Sequence, residues 1–363
     1  MTSFRVAVAV SGGVDSLCAL ILLQKAGLRP LALHGLFLPE AEEPPQGLVR
    51  ACKTLHIPLH VVDVRETFYN KVMTPFAKAY AQARTPNPCA LCNRAIKFGV
   101  LQDAALALGV QFFATGHYAR LVPNARQNAL VLATASDTAK DQSYFLSLVP
   151  QERLRHALFP LQDMSKARCR EVVAAAGLDI PLPHESQDIC FAPQLGARSG
   201  DEGYRSFLER HWRQCNISPP GAGQVVLRKA DGSLQPIACH NGLWRFTEGQ
   251  RRGLGIAWSE ALFVLAKDRE SNTLVVGPRA ALGITACHTG PANIAVPQEL
   301  WPSRLLVRLR YRHRPTSAKV SLEAGNLCIV LPERLFPTAP GQIAAVYAED
   351  GRLLAAGIIE DML

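Results

Sequence analysis

The sequence predicts an α/β fold, with a parallel sheet in the N-terminal half followed by two β-rich units. Three observations point there. Val6–Val10 (VAVAV) is a short, apolar, β-branched run of the kind that forms a strand buried on both faces. Similar runs recur at Leu31–Phe37, Leu59–Val64 and Gln111–Thr115, with helical segments such as Arg94–Leu108 between them. Strands alternating with helices require parallel pairing, with helices covering the sheet. After Pro219-Pro220-Gly221 the texture changes to short alternating strands and frequent glycines. These features divide the chain into 1–204, a small central unit over 205–280, and a β-barrel unit over 281–363.

The helices follow from their end signals. Asp15–Ala26 stops at Gly27, and Lys166–Ala176 starts after Ser165 and stops at Gly177. Serine is a favoured N-cap, and glycine supplies the left-handed conformation that ends a helix. Composition narrows the functional class. With 48% hydrophobic and 19% charged residues, the chain reads as an ordinary globular protein. A net charge of +9 suits a polyanionic partner such as nucleic acid. No apolar run approaches the roughly 18 residues that span a bilayer, and no signal peptide precedes the first motif, so a cytoplasmic location without membrane association is expected. Ten cysteines in 363 residues are too few for a disulfide scaffold; where they cluster, metal binding or catalysis is indicated.

The first motif is Ser11-Gly12-Gly13-Val14-Asp15-Ser16, between a strand and a helix. Glycines let backbone N–H groups approach a phosphate, and the helix N-terminus adds its positive dipole end. Ser11 and Ser16 offer hydroxyls, while Asp15 suits either Mg²⁺ or orientation of the loop. The spacing matches neither GxxxxGK[ST] nor GxGxxG. It resembles the PP-loop of the N-type ATP pyrophosphatases, which cleave ATP between the α- and β-phosphates; adenylation of a substrate is implied.

Further blocks narrow the substrate. They are Thr85-Pro86-Asn87-Pro88-Cys89-Ala90-Leu91-Cys92-Asn93-Arg94, Thr115-Gly116-His117-Tyr118, Lys140-Asp141-Gln142-Ser143, Ser186-Gln187-Asp188-Ile189-Cys190-Phe191, Gly249-Gln250-Arg251-Arg252-Gly253 and Pro340-Gly341-Gln342. In this order, through essentially the whole chain, they resemble the tRNA-uridine 2-sulfurtransferases (MnmA-type 2-thiouridylases). The resemblance implies an adenine nucleotide alpha hydrolase-like catalytic domain, a small central domain and a C-terminal barrel that contacts tRNA. It also implies ATP-dependent adenylation of the C2 oxygen of the wobble uridine (U34), then replacement by sulfur from sulfide or a persulfide-carrying protein. Phe37, Gly116 and His117, at strand ends, join the loop as ATP-binding residues. Lys97, Lys140, Asp141 and Gln142 suit an adenylated base and its phosphates.

One position departs from the family. An acid/base aspartate is expected where this chain has Cys89, three residues before the catalytic Cys92; Cys190, the persulfide position, is retained. Two readings of Cys89, Cys92 and Cys190 compete. One is a persulfide relay between Cys92 and Cys190 with Cys89 accessory. The other is a [4Fe–4S] cluster on all three, with one iron left open to sulfide. A thiol is a poor substitute for the missing carboxylate, which favours the cluster. A disulfide, or a zinc site of three cysteines and a water, is a structural alternative that fits less well. The other seven cysteines are expected to be buried.

RNA contacts are expected at Arg308, Arg310, Arg312 and Arg314, which recur at period two and would share one face of a strand. Arg251 and Arg252 are a second candidate. The competing classes are a PP-loop ligase acting on a small molecule, which needs neither cysteine set nor arginines, and an RNA-binding protein with an inactive nucleotide domain, which would not need an intact SGGVDS loop.

Overall fold

The computed structural model describes residues 5–124, 128–178, 189–191 and 200–363. The first unit is a five-stranded parallel sheet with β1 (Arg5–Ala9) at its centre. β2 (Arg29–Leu36) and β3 (Leu59–Asp63) extend it one way, and β4 (Phe112–Thr115) and the short edge strand Ala157–Leu158 the other. Side chains alternate across β1 as the pleat requires: Val6 and Val8 enter a core with helix α1 (Val14–Lys25), while Ala7 enters the opposite one with Phe68, Phe76, Phe98 and Phe113. Both faces are therefore covered, and the apolar runs need no polar alternation.

The chain steps from β1 outward to β3, then crosses back to place β4 on the other side of β1. That reversal opens a crevice at the carboxyl ends of β1 and β4, where ligands of open parallel sheets bind. The helix expected over Arg94–Leu108 begins earlier, as Pro88–Cys92, and passes through a π-helical stretch over Asn93–Leu101 before Gln102–Ala107. Gly99 breaks the stretch with φ −108° and ψ −112°. Ser165 caps Lys166–Ala175 by accepting from the Arg168 amide, as its sequence position predicts.

A helix at Gly200–Cys215 has no counterpart in the sequence reading, and it runs through the expected division at 204/205. Its Phe207, Leu208 and Trp212 are buried, and Trp212 meets Trp244 edge to face. The second unit is a four-stranded sheet in the order Leu262–Asp268, Thr273–Pro278, Gly223–Arg228, Leu234–His240. In the third, six strands from Ile284–Pro291 to Leu353–Met362 close into a barrel, because the first pairs with both Asn326–Leu335 and the last. Short Asn293–Ile294 joins its edge.

The arginine face does not form. The strand ends at Arg308 (Leu305–Arg308), and the next residues turn. Arg308 is drawn inward because the buried carboxylate of Asp141 needs a counter-charge: its Nη1 donates to Asp141 Oδ2 at 2.6 Å, and its Nη2 to the Tyr311 carbonyl. Arg310 is also engaged inside, donating to the Glu248 carbonyl at 2.9 Å. Leu309 is fully buried, and Tyr311 lies against Phe145 at 4.4 Å between ring centroids.

Candidate active site

At the end of β1 the chain turns through Gly12 at φ +84°, a conformation natural only to glycine. Ser16 Oγ ties the loop together by accepting from the Ser11 amide and donating to the Gly13 carbonyl at 2.9 Å. No side chain caps α1 at Gly13, so the helix's positive end faces the crevice. Gly116 closes the arrangement from β4. A Cβ there would lie 2.7 Å from the Asp15 carbonyl carbon and 2.8 Å from the Ser16 amide nitrogen, so only glycine permits this packing.

Asp15 is held on both oxygens. Tyr118 donates to Oδ1 at 2.7 Å, and the Lys166 ammonium bonds Oδ2 at 2.6 Å. Lys166 starts the helix capped by Ser165, which aims it back at the loop. Neither partner was legible as such, although Tyr118 follows His117 directly and a lysine in the first turn of a capped helix is itself unusual.

His117 is buried between Phe98 and Phe159. Burial first, and the Lys97 charge second, hold its pKa well below the usual histidine range. The ring is then neutral. Lys97 Nζ, 3.4 Å away, donates to Nε2, which puts the proton on Nδ1, where it is donated to Thr115 Oγ1 at 2.8 Å.

The PNPC run is a compact helix start. Asn87 Oδ1 accepts from the Ala90 amide, and Pro88 occupies the first position, where its missing N–H is harmless. Cys89 and Cys92, three residues apart, fall on one side of this single turn. Both line a cavity of about 1880 Å³, together with Cys190. Ser186-Gln187-Asp188 of the Cys190 block lie outside the described residues. All ten cysteines are free thiols. Among the described residues no three His, Cys, Asp or Glu side chains stand close enough together to hold a metal ion as they are placed here, and this applies to zinc and to an iron–sulfur cluster alike. Of the scattered cysteines, Cys18, Cys52, Cys169 and Cys287 are buried as expected, whereas Cys239 is exposed and Cys215 and Cys328 are half-buried.

The three thiols share one electrostatic setting. Cys89 and Cys190 open to the cavity, yet surrounding protein desolvates both and raises their pKa. Burial pushes Cys92 up to about 12, opposed by Lys97 and reinforced by Cys190 and Cys89. Each therefore carries its proton near neutral pH until something claims the thiolate.

The same cavity takes in Ser11, Gly13, Asp15, Phe37 and His117, together with Lys97, Lys140, Asp141, Gln142, Arg308 and Arg312. Gly12, Ser16 and Gly116 shape the loop without lining it. Asp141 is spent internally, accepting from the Ala135 and Ser143 amides, Ser143 Oγ and Arg308. Gln142 Oε1 accepts from the Tyr118 amide. Arg310 and Arg251 are not among the lining residues; Arg251 and Arg252 sit on an exposed loop. No helix among the described residues is long and apolar enough to cross a membrane.

Residues 4–194 match the tRNA methyl transferase HUP domain family, residues 220–278 its PRC-barrel domain, and residues 289–359 the aminomethyltransferase beta-barrel domain. The tRNA-specific 2-thiouridylase MnmA of Nitratidesulfovibrio vulgaris strain DP4 is 46% identical over 355 residues, covering 98% of each chain. Those of Oleidesulfovibrio alaskensis and Lawsonia intracellularis are 47% and 40% identical, covering 98% and 99% of this chain and 99% and 100% of theirs. A 4-thiouridine synthetase–RNA complex with bound ATP overlaps 59% of this chain and 52% of its own at a TM-score of 0.37 and 16% identity, too distant to carry function. Full-length identity at this level, on a chain whose phosphate loop and thiols face one cavity, places the protein in the MnmA family of tRNA-specific 2-thiouridylases.

Proposed function

We propose that the protein is a tRNA-uridine 2-sulfurtransferase that converts ATP to AMP and pyrophosphate while turning the wobble uridine of tRNA into 2-thiouridine. One observation supports this above others: the phosphate loop and three free thiols open into a single cavity that Lys97, Lys140, Lys166, Arg308 and Arg312 also line. A uridine carbonyl oxygen is a poor leaving group. In this reading O2 attacks the α-phosphate of ATP held at Ser11, Gly12, Gly13 and Ser16, and pyrophosphate departs. A sulfur nucleophile then attacks C2, and AMP leaves with the oxygen. Phe37, Gly116 and the neutral His117 shape the nucleotide side. Lys97, Lys140 and Arg312 take the phosphate charge. Asp15 does not fit as a Mg²⁺ ligand, because the Lys166 ammonium already neutralises it; its assigned task is to fix the loop.

For sulfur delivery we favour a [4Fe–4S] cluster on the chemistry of the donors, which are soft, free and line one cavity; the three thiols do not converge as placed here and would have to draw together to hold it. Cys89, Cys92 and Cys190 would hold it, leaving one iron open to exogenous sulfide. Delivery of sulfide needs no reductant, whereas a persulfide relay ends in a Cys92–Cys190 disulfide that a cellular dithiol must reduce.

The test is anaerobic purification with iron and acid-labile sulfide analysis, followed by thiolation of tRNA with sulfide as donor. Bound iron, and loss of activity in Cys89→Ala, are expected. Reconstituted protein that holds no iron yet thiolates tRNA from a persulfide donor overturns the cluster and leaves the relay. RNA-dependent ATP–pyrophosphate exchange separates both from a small-molecule ligase, which would exchange without RNA.

A further inference from the structure

All three units meet at Thr85, four residues before Cys89. From the barrel, Pro340 accepts the Thr85 amide at 2.7 Å, and Gln342 Nε2 donates to the Thr85 carbonyl at 2.8 Å and the Pro86 carbonyl at 3.4 Å. Gly341, at φ +96°, lets the two backbones touch; a Cβ would sit 3.0 Å from the Thr85 carbonyl. From the central unit, Lys267 Nζ donates to Thr85 Oγ1 at 3.4 Å and to the Phe246 carbonyl at 3.0 Å, and Thr247 Oγ1 lies 3.4 Å from the same hydroxyl. Lys267 is buried and stays beside Thr85 because it pairs with the buried Glu248 at 3.4 Å. Arg310 of the barrel turn bonds the Glu248 carbonyl, so the arginine expected on an RNA face braces this junction instead.

We propose that Gln342 and Lys267 are positioning residues for sulfur transfer, acting through Thr85 and Pro86 to set where the Cys89–Cys92 turn presents its thiols. Pro88–Cys92 is the first turn of a helix that continues through Asn93–Leu101, so that helix holds its far end while Thr85 and Pro86 set its near end. On the far side Asn93 Nδ2 anchors it to the Phe145 carbonyl at 2.9 Å. On the near side two prolines, Pro86 and Pro88, remove soft dihedrals between Thr85 and Cys89. A shift of Thr85 therefore passes to Cys89 with little slack. Gln342 and Lys267 come from the barrel and central units, so the placement of these units and that of the thiols are mechanically linked. The inference rests on the reading that Cys89 and Cys92 serve sulfur delivery.

The measurements are thiolation turnover, KM for tRNA, RNA-dependent ATP–pyrophosphate exchange and the rate of Cys89 alkylation by iodoacetamide, in Gln342→Leu and Thr85→Val. Thr85→Val deletes only the hydroxyl that Lys267 and Thr247 approach, so it carries the test should Gln342→Leu not fold. Misplacement by about 1 Å can cost about a hundredfold in rate. In Thr85→Val turnover is expected to fall at least about tenfold, with exchange and KM changed by less than about twofold and the alkylation rate altered; because Gln342 itself lines the cavity, Gln342→Leu is read on turnover and alkylation alone. Turnover that does not fall, or falls in step with exchange or with a rise in KM, overturns the positioning role. Failure of the underlying reading looks different: Cys92→Ser would still thiolate tRNA.

Discussion

Cys92 shows most clearly how surroundings set chemistry at the scale of a residue. A thiol pushed up to about 12 has little thiolate at neutral pH. Its alkylation should therefore rise about tenfold per pH unit from about 7 to 10 without a plateau, whereas an ordinary thiol levels off near 9. Lys97→Met removes the charge that favours the thiolate, so alkylation should slow further at every pH; an unchanged profile would show that Lys97 does not act on the thiols. Arg308 makes the opposite point about legibility. Period-two arginines are visible in sequence, but the buried acceptor that captures one of them is not. Asp141 lies far away in the chain and is itself fully bonded. Arg308→Ala strips that carboxylate of its counter-ion, which should destabilise the fold by about 3 kcal/mol in urea titration. The salt dependence of tRNA binding should stay as in the parent protein.

Among elements, the parallel strands were readable because burial on both faces leaves an unbroken apolar run, and the helix ends because caps and glycines are local. The phosphate loop was readable for the same reason: strand, glycines, serines and helix are contiguous. What brings Gly116 onto Asp15 and Ser16 is the crossover of β4 to the other side of β1, which no local signal encodes. Gly116→Ala must push that first turn away, so ATP–pyrophosphate exchange is expected to fall by at least about tenfold; retention of exchange would show that the loop tolerates the shift. The π-helical stretch over Asn93–Leu101 escaped notice because its apolar spacing is close to that of an α-helix. It sets Lys97 toward both His117 and the thiols.

For the whole molecule, the three-part organisation follows from the change of texture after Pro219, while the junction at Thr85 joins residues hundreds of positions apart and could only be seen folded. With Arg308 and Arg310 turned inward, Arg251 and Arg252 stay exposed, and we propose them as contacts to RNA phosphates. Replacing both by alanine should weaken tRNA binding and reduce the slope of log affinity against log salt by about 1 to 2; an unaltered slope would place RNA elsewhere. The central claim is that ATP cleavage at the PP-loop activates a tRNA uridine for sulfur supplied through the three cysteines. It is tested most directly by counting AMP and 2-thiouridine together in one reaction with tRNA, ATP and sulfide. The account predicts one AMP for each 2-thiouridine, with both products dependent on RNA and Cys92→Ser yielding no 2-thiouridine. Formation of 2-thiouridine without ATP, or at an undiminished rate in Cys92→Ser, would contradict it.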